Sequence, residues 1–127
     1  MHYTFDTGAL IALERRKERA RKFVEVASRI TVPSVVIAEW WRGRTDRRED
    51  ILLGVHVETE ISERWARTVG EVLANVSARS PRRNVNMLVV DAIVMASAAS
   101  RGDIVLTSDF DDLALLQDYF PVDVLAV

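Results

Sequence analysis

The residues of this chain that could carry out chemistry are mostly carboxylates. Four of them interrupt apolar segments or stand where a predicted strand gives way to a helix: Asp6, Glu39, Asp91 and Asp109. A carboxylate is costly to bury without a partner. Four carboxylates in one pocket would repel one another and resist ionisation, and a divalent cation removes that conflict. Because the donors are all oxygen atoms, without His or Cys, they favour Mg²⁺ or Mn²⁺ over zinc.

Asp91 and Glu39 are the most unusual of the four. Asp91 lies in the segment 88–96, which is otherwise apolar, and the residues three and four positions away are Met, Leu and Val. Glu39 interrupts the apolar segment 35–41 in the same way. Both residues also have an ordinary explanation. Asp91 could interact with the dipole at the start of its helix, and Glu39 could form a surface ion pair with Arg42.

Asp6 and Asp109 each follow a predicted strand, over residues 2–5 and 104–107. Either carboxylate could simply cap the helix that comes next, and Asp112 could be an acid in the first turn of the second helix. The carboxyl ends of parallel strands share one edge of a sheet, and ligands bind beyond that edge. We therefore expect the sheet to bring Asp6 and Asp109 together.

Composition excludes several other kinds of enzyme. The chain has no Cys, which rules out disulfides, Cys-ligated zinc and thiol catalysis. Its two histidines, His2 and His56, stand in no suggestive setting, and no phosphate-binding loop with a following lysine exists. The net charge is −2, yet nearly all of the 17 cations are arginine. This excess reflects either a GC-rich genome or phosphate recognition, for which the guanidinium group is suited.

The length of 127 residues predicts a single domain over residues 1–127. Short apolar strands alternate with helices, which favours a parallel sheet covered on both faces. The predicted strands are 2–5, 30–32, 55–57, 104–107 and 122–127, and the main predicted helices are 8–13, 34–42, 61–78, 87–100 and 109–116. No apolar segment is long enough to span a membrane, and the first residues do not read as a signal peptide. We expect a cytoplasmic protein.

Four segments of the chain resemble the PIN-domain family, and specifically the VapC-type toxins of bacterial toxin–antitoxin pairs. They are FDTGALI at 5–11, PSVVIAE at 33–39, VDAIVMA at 90–96 and LTSDFDDL at 106–113. The segments occur in the order of the family, and the resemblance spans essentially the whole chain. It implies an α/β fold with three layers, α/β/α, around a short and mostly parallel sheet.

The resemblance also implies an activity and a set of site residues. Asp6, Glu39, Asp91 and Asp109 match the acidic metal-binding residues of the family, and Thr107 matches its hydroxyl residue. Asp112 matches an acid that only some members have, and we expect Thr7 to orient Asp6 or a metal-bound water. Family members are Mg²⁺- or Mn²⁺-dependent endoribonucleases, which implies products with a 5′ phosphate and a 3′ hydroxyl. They are typically dimers, and a small antitoxin that also binds DNA neutralises them.

Arginines flank two of the segments that carry the acids. Arg42 and Arg44 follow Glu39, together with Arg47 and Arg48, and the group Arg79, Arg82 and Arg83 precedes Asp91. Such groups could bind the RNA backbone, or they could be an ordinary solvated face. We select Arg42, Arg44, Arg82 and Arg83 as candidate RNA-binding residues.

Three other functions would account for parts of this pattern. A phosphatase of the haloacid-dehalogenase type needs a second Asp where this chain has Gly8, and that fold and the receiver fold both use a late lysine, which is absent. An RNase H-like nuclease would begin with hairpin strands instead of a strand followed by a helix. A non-catalytic PIN-like module that binds protein or RNA is the main alternative, and the complete set of four acids argues against it.

Overall fold

The computed structural model describes residues 1–127 and contains five β-strands and seven α-helices. The strands are β1 (His2–Phe5), β2 (Arg29–Pro33), β3 (His56–Glu58), β4 (Ile104–Thr107) and β5 (Val124–Ala126). The helices are α1 (Thr7–Glu14), α2 (Glu18–Val26), α3 (Ser34–Trp40), α4 (Asp46–Leu53), α5 (Glu63–Arg79), α6 (Val89–Arg101) and α7 (Phe110–Leu116).

The five strands form one sheet in the order β3-β2-β1-β4-β5, and every neighbouring pair is parallel. β2 and β3 follow β1 on one side of it, and β4 and β5 lie on the other side of β1. The strand order therefore reverses between β1 and β4, where ligands bind in open parallel sheets. Phe5 at the end of β1 pairs with Leu106 near the end of β4, so Asp6 and Thr107 leave the sheet at the same edge.

Helices cover both faces of this sheet. On one side α1 contacts α2, α3 and α4, and on the other side α6 contacts α5 and α7. The central strands are consequently buried on both faces, which explains why Tyr3, Thr4 and Phe5 are all buried although neighbouring residues of a strand point in opposite directions. The predicted α/β fold with three layers is confirmed, and its sheet is parallel throughout.

Several helix bounds differ from the prediction by one or two residues, among them those of two helices that carry candidate acids. The helix predicted over 34–42 ends at Trp40, so Arg42 and Arg44 lie in an irregular segment. The helix predicted over 87–100 starts as a 3₁₀ turn over Val85–Leu88 and becomes α-helical only in α6. It ends as predicted at Gly102, which has a φ of 74° that favours glycine.

None of the seven helices combines the length and the apolar character that crossing a membrane requires.

Candidate active site

Asp6 lies directly after β1 and has a structural role as the N-cap of α1. Its Oδ1 accepts a hydrogen bond of 2.8 Å from the amide of Ala9, and only 5% of the residue is exposed. Burial raises the pKa of this carboxyl group. Hydrogen bonds from the Thr107 hydroxyl and the Ala9 amide oppose the rise, while the charges of Asp109 and Glu39 add to it. Asp6 is thus both a helix cap and part of an acidic cluster.

Asp91 lies in the first turn of α6 and is partly buried. Burial, followed by the charges of four other carboxylates, raises its pKa to about 7. Those carboxylates are Asp6, Asp112, Glu39 and Asp109. Interaction with the helix dipole alone would have lowered the pKa, so the crowding of acids and the burial outweigh it. This is the arrangement expected of groups that require a cation between them.

Glu39 is exposed and forms no ion pair with Arg42. Instead its Oε1 accepts a hydrogen bond of 2.7 Å from the Thr7 hydroxyl. This contact joins α3 to the first residue of α1 and orients Glu39 toward the end of β1. Thr7 therefore orients Glu39 and not Asp6, whose carboxylate is held by Ala9 and Thr107. The alternative expectation, that Thr7 orients a metal-bound water, stays a prediction.

Asp109 stands at the N-cap position of α7, but its side chain makes no capping hydrogen bond. Its backbone amide donates to the Thr107 hydroxyl at 2.9 Å. A side-chain hydrogen bond with Asp112, together with burial and the charge of Asp112, raises the pKa of the exposed Asp109 carboxyl group. Thr107 therefore contacts two of the acids, Asp6 through its hydroxyl and Asp109 through the backbone amide of that residue.

The turn that carries Asp109 packs tightly against the start of α1. A Cβ atom on Gly8 would lie 2.0 Å from the hydroxyl oxygen of Ser108 and 3.1 Å from its Cβ. Glycine at this position lets the segment after β1 approach the segment after β4. The close approach holds Asp6 and Asp109 at the same edge of the sheet.

Asp112 differs from the other four acids because it has a cation partner. It forms a hydrogen-bonded ion pair with the guanidinium group of Arg83, from the loop between α5 and the 3₁₀ turn. Both side chains are more than a third exposed. The structure therefore places Arg83 at the acidic cluster, but with its guanidinium group already engaged.

The donor chemistry of the cluster fits a divalent cation such as Mg²⁺ or Mn²⁺, since every candidate ligand is a carboxylate oxygen and burial and neighbouring charges raise the pKa of Asp6 and Asp91. The positions of these side chains do not yet form a metal site, because no group of three or more His, Asp or Glu side chains is arranged to hold one ion. Several of the oxygens accept hydrogen bonds from Ala9, Thr7 and Arg83 instead. Binding an ion would require small side-chain movements.

The candidate RNA-binding arginines fall into two groups. Arg42 and Arg82 are exposed and make no ion pair within the chain. Arg83 pairs with Asp112, and the exposed Arg44 lies 3.2 Å from Asp46 and 3.7 Å from Glu49. Arg47 and Arg48, from the same sequence cluster, are structural instead. Their guanidinium groups bind the Leu13 carbonyl at 2.8 Å and the Glu14 carboxylate at 2.5 Å, at the end of α1.

A second buried carboxylate, Asp103, was not singled out from the sequence. It precedes β4, and its Oδ2 accepts hydrogen bonds from the Thr4 hydroxyl at 2.9 Å and the Arg101 Nε at 3.0 Å. Arg101 also donates to Ser97 at 2.9 Å and lies 3.6 Å from Glu58. This network joins α6 to β1, to β3 and to the residue just before β4. No spacing in the sequence reveals it, since its members come from four separate elements.

The sequence and the fold were compared with known proteins. The sequence model of the family described as the PIN domain matches residues 3–116. No curated protein matches the chain.

Solved structures of toxin–antitoxin complexes are similar in fold. DNA-bound VapBC from Salmonella typhimurium has a TM-score of 0.71 at 17% identity, covering 99% of this chain and 98% of that one. VapBC2 from Rickettsia felis, bound to a promoter DNA fragment, has a TM-score of 0.69 at 13% identity, covering 100% of this chain and 99% of that one. VapBC-1 from Haemophilus influenzae has a TM-score of 0.69 at 18% identity, covering 99% of this chain and 98% of that one.

Proposed function

The chain belongs to the PIN domain family, and on that premise we propose that it is a divalent-metal-dependent endoribonuclease that acts as the toxin of a toxin–antitoxin pair. PIN domains are generally nucleases. The observation that carries the proposal is the grouping of acids where β1 and β4 end, with Asp91 crowded by four other carboxylates that, after burial, raise its pKa to about 7. A cluster of acids that destabilises its own ionised form is common at functional sites, where a cation offsets the repulsion.

Four carboxylates would hold the cation, Asp6, Glu39, Asp91 and Asp109, with Asp112 as a fifth. A bound Mg²⁺ or Mn²⁺ ion would supply Lewis acidity, which activates a water and stabilises negative charge on the phosphate. The chain's own groups orient the ligands. The Thr107 hydroxyl and the Ala9 amide orient Asp6, and the Thr7 hydroxyl orients Glu39. With a pKa raised to about 7, Asp91 would be the ligand most dependent on a cation, whose charge would favour the ionised carboxylate.

The partners follow from the same proposal. RNA would be the substrate, bound through its phosphates by arginines beside the acids. The structurally similar proteins are toxin–antitoxin complexes, which supports a small antitoxin as the cognate partner of this chain, within a homodimer or a heteromeric complex. We place the activity in the cytoplasm, where the RNA substrate would be found.

One observation favours a second candidate, a non-catalytic PIN-like module that binds protein or RNA. No three acidic side chains of the chain are arranged to hold one ion. A module that had lost its metal would keep the fold and the arginines but would have no cation affinity, so metal binding separates the two candidates.

The first experiment is cleavage of total RNA by the purified chain with Mn²⁺, with EDTA, and with the Asp6→Asn variant in Mn²⁺. Asparagine keeps the helix cap of α1, so this variant removes a ligand charge without removing the fold. We expect discrete bands with Mn²⁺ only and none from the variant. The exposed Asp118 serves as a matched control, since Asp118→Asn should cleave normally. Bands that persist in EDTA or in Asp6→Asn would contradict the proposal.

Divalent cations should also stabilise the fold, because they bind only the assembled acids. At an Mn²⁺ concentration one hundred times its dissociation constant, the gain is about 2.7 kcal/mol, or roughly 10 °C in melting temperature for a domain of this size. Differential scanning fluorimetry with increasing MnCl₂ measures it. The rise should be much smaller in Asp6→Asn, and an unchanged melting temperature in the wild type would favour the non-catalytic module.

Arg82 should contribute to RNA binding through phosphate contact alone, since it is exposed and has no partner in the chain. Arg82→Ala is expected to weaken binding uniformly across RNA sequences and to reduce the slope of log affinity against log salt by about one. Fluorescence anisotropy with a labelled RNA in EDTA measures this slope. Arg29→Ala is the control, because Arg29 begins β2 at the opposite edge of the sheet. Equal slopes for the two variants would show that Arg82 is an ordinary solvent-exposed residue that does not contact RNA phosphates.

A further inference from the structure

The ion pair between Arg83 and Asp112 is the only one that involves any of the five candidate ligands. Arg83 Nη2 donates to Asp112 Oδ1. The residues lie in different elements, Arg83 in the loop after α5 and Asp112 in the first turn of α7. Their side chains are 39% and 38% exposed, so the pair can open without disturbing the core.

Asp112 is part of the acidic cluster as well as the partner of Arg83. It is the second largest of the charges that raise the pKa of Asp91, after Asp6, and it hydrogen-bonds to Asp109. A carboxylate oxygen that accepts from a guanidinium group has fewer lone pairs to offer a metal ion. The fixed positive charge of Arg83 also repels a second cation at the same place.

We infer that Arg83 is an intramolecular competitor of the divalent cation: it occupies Asp112 in the metal-free chain, and the metal must displace it to recruit that carboxylate. The inference rests on the proposed metal site. The ion pair therefore places one fixed positive charge on an acid that lies beside the other candidate ligands. Displacement would free the guanidinium group of Arg83 at the rim of the site.

Calorimetric titration with MnCl₂ in 0.15 M salt tests the inference without any measurement of activity. Arg83→Ala should bind Mn²⁺ about two- to fivefold more tightly than the wild type, the range that an exposed ion pair can supply. Arg82→Ala is the matched control. It removes one positive charge from the neighbouring residue, whose side chain has no partner in the chain. Salt screens the longer-range effect of that charge, so the Mn²⁺ affinity of Arg82→Ala should differ from that of the wild type much less than the affinity of Arg83→Ala does.

A double-mutant cycle with Asp112→Asn isolates the pair itself. In that background Arg83→Ala should no longer strengthen Mn²⁺ binding beyond the effect of Arg82→Ala, because the acid for which Arg83 competes is gone. Equal affinities for Arg83→Ala and Arg82→Ala, or an Arg83→Ala effect that persists in Asp112→Asn, would overturn the inference while leaving the metal site intact. Failure of the wild type to bind Mn²⁺ would instead overturn the metal site, and the inference with it.

Discussion

Replacing Asp91 by Asn is expected to abolish RNA cleavage and, in the absence of metal, to stabilise the fold. The amide would remove one of the proposed metal ligands, so we expect activity to fall about a hundredfold or more. It also removes the charge that burial and four other carboxylates oppose. At pH 8 the free energy of unfolding should rise by about 1–3 kcal/mol, after allowance for solvent screening of a partly buried group.

The stabilisation should depend on pH in a specific direction. The pKa of Asp91 is raised from 3.8 to about 7 in the folded chain. The contribution of protonated Asp91 to the free energy of unfolding is therefore fully present below pH 3.8, where the carboxyl group is protonated in both the folded and the unfolded chain. This contribution is lost as the pH rises through 7. Asparagine has no proton to lose. The two proteins should thus be about equally stable at pH 4, and the difference should grow to its maximum above pH 7.

Urea denaturation at pH 4, 6 and 8 in EDTA, with cleavage assays in Mn²⁺, measures both effects. Asp118→Asn is the control, since this exposed residue lies outside the acidic cluster and should change neither quantity. A variant that cleaves RNA normally would remove Asp91 from the site. A variant that unfolds, or that is less stable than the wild type at pH 8, would make Asp91 a structural residue.

Replacing Asp103 by Ala should have the opposite effect on stability, a loss of about 3–5 kcal/mol. The Asp103 side chain is only 3% exposed and accepts hydrogen bonds from Thr4 and Arg101. Its removal leaves the guanidinium group of Arg101, which is 19% exposed, without its closest carboxylate. Breaking a buried ion pair from one side is costly because the remaining charge stays desolvated.

Chemical denaturation at pH 7 measures this loss, and the fraction folded at 37 °C gives an independent readout. Asp123→Ala is a suitable control, because it removes an exposed Asp just before β5. The loss of stability in Asp103→Asn should lie between the losses in Asp103→Ala and Asp123→Ala, since the amide oxygen of asparagine still accepts a hydrogen bond. A loss in Asp103→Ala no larger than that in Asp123→Ala would show that the network does not hold α6 against the sheet.

Asp91 and Asp103 show how far the sequence could be interpreted. Asp91 stands inside an apolar helix, so the cost of burying a lone charge identified it directly. Asp103 lies between Gly102 and β4, where an acid is ordinary in a loop. Only the fold brings Arg101 and Thr4 against it. Asp103 is therefore part of a structural network with a cation, whereas Asp91 is surrounded by other carboxylates.

The sequence by itself determined most of the elements and singled out the candidate acids. Alternating apolar strands and helices predict a parallel sheet, and the strand ends at Asp6 and Thr107 indicate which edge carries the candidate site. These are local features, because periodicity, capping residues and turns act over a few neighbouring positions.

Tertiary structure alone decided which partner each polar side chain has. Thr7 binds Glu39 across 32 residues, Arg83 binds Asp112 across 29, and Arg48 binds Glu14 across 34. The arginine clusters therefore looked uniform in sequence, yet they divide into structural, paired and free side chains. The reason is physical. Hydrogen bonds and ion pairs depend on distances of a few ångströms between segments far apart in the chain, and only packing of the core sets those distances.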